Sequence, residues 1–167
     1  SMVGAYQKGI ETSRRADAIL ERLPQTYEVL TGRVRLQLYL GQLHGWLGDF
    51  DEARRSFESA IRFAASITSD SDRLSYLAIG HFGLSGPAFL QRNYVEFLAK
   101  TKTSHQLFEE FFRLATRTPG RDRTLGIFAY MLIMKGIAEL ELNRLEEGEQ
   151  SLRRALAVAT ELEAREF

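Results

Sequence analysis

Residues 33–65 read RVRLQLYLGQLHGWLGDFDEARRSFESAIRFAA. Leu36, Leu40, Leu43 and Leu47 recur at steps of three and four, which makes Arg33 to Leu47 a helix with one apolar side. Gly48 ends it, because glycine accepts the left-handed backbone that closes a helix. A second helix follows from Asp51 to Ala65, with Ala53, Phe57, Ala60, Ile61 and Ala64 on one face and charged residues between them. Asp49 or Asp51 caps its start by accepting hydrogen bonds from the first free backbone N–H groups. With so short a link, the two helices form a tight antiparallel hairpin.

The offsets recur along the chain. Near the C-terminus, Gly136, Leu142-Asn143, Leu145, Gly148, Leu152 and Ala155 repeat them, Gly148 answering Ala53 and Leu152 answering Phe57, in a helix that runs to about Glu163. A degenerate middle copy puts Ser85 in the small slot, Asn93-Tyr94 at the turn and Phe97 in the place of Ala53. At the N-terminus, Ala16, Leu20 and Leu23 mark the back helix of a copy that has lost its partner or keeps only Val3 to Ile10 of it. Strand-like alternation is scarce and there are only 3 prolines, so the expectation is an all-α chain of about seven helices. Its 167 residues suit a single domain, with copies at roughly 3–24 (partial), 33–66, 72–117 and 121–163.

Leu40-Gly41, Gly48-Asp49-Phe50, then Ala53, Phe57 and Ala60 resemble the tetratricopeptide repeat, which pairs two helices through small residues where they cross. His44 stands where that pattern has Tyr and Gln37 where it has Trp, and the closing Pro is missing. The counterparts Ala16, Ala53, Phe97 and Gly148 lie further apart than the ~34 residues of the plain repeat, in keeping with long helices at Tyr94 to Thr116 and Arg123 to Leu142. In this the chain resembles the elongated repeats in sensor domains of large bacterial regulators, such as the maltose-type activators of the LuxR class.

The resemblance implies an α-solenoid, a right-handed superhelix of antiparallel helix pairs whose front helices line a concave groove. Carried onto this chain, the groove positions are Arg35, Leu38, Tyr39 and Gln42, then Ile79, Phe82 and Phe89, then Tyr130, Ile133, Met134 and Ile137. None is the Lys or Asn with which the family's chaperone adaptors hold a terminal carboxylate, so no such clamp is expected. The implied function is a non-catalytic interaction or sensor module that takes a peptide, a helix or a small effector, within a regulator of transcription. An amphipathic helix suits an apolar groove, since its residues at i, i+3 and i+4 fill successive pockets.

Other function classes find less support. Lys and Arg number 22 against 22 Asp and Glu, whereas the alternative reading, a helical nucleic-acid-binding regulator domain, calls for a dense basic face. Without Cys there is no disulfide and no thiolate metal site, and His44, His81 and His105 show no ligand spacing. The pairs Glu109-Glu110 and Glu146-Glu147 are adjacent, which on a helix points them about 100° apart rather than at one substrate. No nucleophile motif occurs, so neither an enzyme nor a cofactor is expected. The opening residues lack a signal-peptide pattern, and the apolar run Leu125 to Ala138 is broken by Lys135 and falls short of the ~20 residues of a membrane span. A soluble, cytoplasmic protein is expected.

Three features keep two readings each. Gly80, Gly83 and Gly86 before Pro87 admit a close neighbour or mark a break between two helices. Arg113, Arg117, Arg121 and Arg123, around Thr118-Pro119-Gly120, meet an acidic partner or cap helix carbonyls. Phe108, Phe111, Phe112 and Ala115 cover a partner, including a second copy in a homodimer, or pack inside the chain.

Overall fold

The computed structural model describes residues 2–116 and 120–163. Seven helices occupy them: α1 (Met2–Glu21), α2 (Tyr27–Leu47), α3 (Phe50–Ala65), α4 (Asp70–Leu90), α5 (Tyr94–Leu114), α6 (Arg121–Glu141) and α7 (Leu145–Glu163). No strand occurs among the described residues. Consecutive helices pack as pairs, α1 with α2, α2 with α3, α5 with α6 and α6 with α7. The all-α architecture of helix pairs expected from residues 33–65 is therefore present. By its contacts the chain divides into two compact units, residues 1–84 and 85–167, with the boundary inside α4.

In the first unit the hairpin ends are set locally. Gly48 takes φ 80°, and Asp49, rather than Asp51, caps α3 by accepting from the Glu52 N–H at 3.4 Å. Ala53 and Ala60 are fully buried, and Val34, Ala60, Ala64, Ile67 and Tyr76 form a core flanked by Leu30, Leu38, Phe63 and Leu77. The close crossings run through glycine: a Cβ on Gly41 would lie 2.8 Å from the Phe57 ring, and one on Gly80 would lie 2.7 Å from Ile61. The glycine run is thus no break, since α4 continues through Pro87 while Gly80 and Gly83 let it lie against α3.

A charge sits in the same unit. Arg33 is almost fully buried, donates to Asp17 at 2.9 Å and lies 4.2 Å over the Phe63 ring. Gln37 donates to the other oxygen of Asp17, also at 2.9 Å, so α1 is tied to α2 by a carboxylate held from two sides.

The second unit repeats the hairpin chemistry. A Cβ on Gly136 would lie 2.7 Å from Leu152, the counterpart of the Gly41–Phe57 approach, and one on Gly148 would lie 2.8 Å from Leu140. Phe97, Phe108 and Phe128 are fully buried. Phe128 of α6 receives Phe108 at 5.2 Å and Phe112 at 5.4 Å between ring centroids, so the phenylalanine stripe of α5 is spent inside the unit.

Candidate interaction faces

Arg35, Tyr39 and Gln42 share one exposed side of α2, whereas Leu38 packs against the core. Arg35 donates to the Tyr76 hydroxyl at 2.8 Å. Trp46 extends this side by one turn, is 53% exposed and meets Tyr6 at 5.4 Å between ring centroids. It escaped the sequence reading, although its spacing of seven from Tyr39 and four from Gln42 was the available signal. The face is aromatic and polar rather than apolar. Near its start the Tyr27 hydroxyl donates to Asp72 at 2.7 Å, and that bond to a carboxylate pushes the Tyr27 pKa up to about 12.

On α4, Ile79 and Phe82 are half-buried in the first unit. Phe89 belongs to the second unit, where it stands edge-on to Phe97 at 5.0 Å and to Tyr94 at 5.6 Å. His81 is half-buried, and burial pushes its pKa below the ordinary value, which favours the neutral ring at neutral pH.

The clearest face lies on α6. Tyr130, Ile133 and Ile137 are exposed at steps of three and four, while Met134 turns inward and is buried. Leu140 adds a fourth member three residues on, so the row runs about 15 Å along the helix axis. Its members are 39–57% exposed, and Lys135 and Glu139 project from the opposite side of the helix. Gly126, one turn before Tyr130, has open space where a Cβ would stand.

The remaining polar clusters close upon themselves. Lys135 Nζ donates to Glu139 at 2.6 Å and to the Ser151 hydroxyl at 2.9 Å, and Ser151 donates to the second Glu139 oxygen at 2.6 Å. His105 stands edge-on to Phe128 at 5.6 Å and 3.6 Å from Glu109, and burial lowers its pKa. Arg121 donates to the Ala115 carbonyl at the end of α5 (2.8 Å) and to Glu161 (3.0 Å), which is the carbonyl-capping reading for this residue. Arg117, Thr118 and Pro119 lie outside the described residues. Among those described, no three His, Asp or Glu side chains gather as a metal site, and no helix is long and apolar enough to cross a membrane.

Compared with known proteins, the chain matches no family model, no curated protein and no solved structure.

Proposed function

We propose that the chain is a non-catalytic, tetratricopeptide-like interaction module that takes an amphipathic helix on the exposed face of α6. The observation that carries this reading is the row Tyr130, Ile133, Ile137 and Leu140, four large apolar side chains in succession on one side of a rigid helix. Covering such a row with apolar groups removes water from it, at roughly 25 cal/mol per Å². A partner helix meets the same periodicity with its own residues at i, i+3, i+4 and i+7. The spacing resemblance to elongated regulator repeats supports a role inside a larger regulatory protein, including one that controls transcription. A chain without Cys suits a reducing compartment such as the cytoplasm.

The test is fluorescence anisotropy with labelled amphipathic helical peptides bearing leucine at those spacings, alongside a labelled DNA duplex at two salt concentrations. Peptide binding is expected, with loss in Ile133→Glu and in Ile137→Glu at unchanged helicity. Peptide binding indifferent to both variants removes this face. Salt-sensitive DNA binding in place of peptide binding favours the nucleic-acid reading instead.

A further inference from the structure

The exposed row on α6 extends beyond its four apolar members. Arg123, Gly126, Tyr130, Ile133, Ile137 and Leu140 follow one another at alternating steps of three and four, the spacing of a coiled-coil seam. All are exposed except Gly126, which is half-buried. Gly136 in the same helix is spent on its approach to Leu152, whereas Gly126 meets no such neighbour in its own chain and still weakens the helix. Opposite charges, Arg123 and Glu141, stand exposed near the two ends of the row. They are 18 residues apart, which is five turns, so they share one line along α6 about 27 Å from each other.

These features are self-complementary. When a second α6 lies antiparallel on the first, the register that sets Arg123 on Leu140 also sets Gly126 on Ile137 and Tyr130 on Ile133. The recess over Gly126 then receives Ile137 of the second copy, and the two helices approach closely. The same register brings Glu141 beside Arg123 of the second copy, once at each end, because a two-fold axis repeats every contact. A parallel arrangement stacks Arg123 on Arg123, Glu141 on Glu141 and Gly126 on Gly126, so it sets like charges together and leaves the recess empty. We propose that the α6 face is the interface of a symmetric homodimer, its two α6 helices packed antiparallel about an axis that passes between Tyr130 and Ile133. This rests on the reading of the face as a helix-binding surface and names the occupant as α6 of a second copy.

The test is sedimentation equilibrium of the full chain from micromolar to millimolar concentration, with helicity followed by circular dichroism. A monomer–dimer equilibrium is expected. Ile137→Glu and Gly126→Leu should each weaken it about tenfold or more with helicity kept, the first by burying a charge and the second by filling the recess. Arg123→Glu should weaken it about fivefold, since the dimer has two such pairs, and adding Glu141→Arg should restore it, a rescue that no contact across five turns of one chain can give. The chain has no Cys, so disulfide trapping is unambiguous: Gly126→Cys chains mixed with Ile137→Cys chains should cross-link in a glutathione redox buffer, and neither should cross-link alone. A chain that stays monomeric yet binds the helical peptides overturns the homodimer and leaves the helix-binding reading intact, whereas a chain that does neither loses both. A dimer indifferent to Ile137→Glu, failure of the double charge swap to restore association, or cross-linking of either cysteine variant with itself also overturns the proposal.

Discussion

The ring of Phe57 fills the space that a side chain on Gly83 would need, since a Cβ there would lie 2.3 Å from the ring. Gly41 confines the same ring from α2, so Phe57 has no room to yield. Gly83→Ala gains about 1 kcal/mol of helix propensity and, at so close an approach, loses about 2–3 kcal/mol to overpacking, for a net loss of about 1–2 kcal/mol. Gly126→Ala faces open space inside α6 and gains about 1 kcal/mol. Urea denaturation separates the two, and a Gly83→Ala variant as stable as the parent contradicts the crossing described.

In the second unit, Ser151→Ala removes one bond to Lys135 and one to Glu139 at a buried position. The expected cost is about 2 kcal/mol, because both bonds involve charged groups and Glu139 keeps its desolvation. The same measurement on Ser151→Thr, which retains the hydroxyl, should recover part of the loss.

Arg33→Met keeps the stem that packs on Phe63 and deletes the charge that holds Asp17. Leaving that carboxylate near α2 without its guanidinium costs about 2–4 kcal/mol. Hydrogen exchange should show the loss concentrated in α1, whose hold on α2 depends on this pair. Protection of α1 unchanged from the parent speaks against the role assigned to Arg33.

Stability should narrow at both ends of the pH scale. Tyr27, raised in the folded chain to about 12, binds its proton more tightly than in the unfolded chain, so its contribution is complete below about 10 and is lost as pH rises towards 12. His81 and His105 are lowered by burial, so their contribution is complete above about 6.5 and is lost as pH falls through their folded values. Ultraviolet titration of tyrosinate should show a contribution near pH 12 that disappears in Tyr27→Phe.

Much of the helical frame was legible because its signals are local. Gly48 at the end of α2, Asp49 at the start of α3, and the period of Ala53, Phe57 and Ala60 each act within a turn or two of themselves. The α6 face was legible in part. Tyr130, Ile133 and Ile137 are exposed as a groove lining requires, yet Met134 is buried and Leu140 was not singled out. Helix α6 is apolar around most of its circumference, so its period alone cannot say which side faces water.

The sequence by itself determined that the chain is helical, that Gly48 ends α2 and Asp49 starts α3, and that small residues such as Gly41, Ala53 and Ala60 let this hairpin close. Only the tertiary structure decided that Phe108 turns inward while Ile133 turns out, that Lys135, Glu139 and Ser151 close into one network, and that Arg14, His44 and Glu52 share a cleft. The division has one physical cause. Capping and periodicity are settled by neighbours a few residues away, whereas burial and charge pairing depend on groups that folding brings from distant parts of the chain.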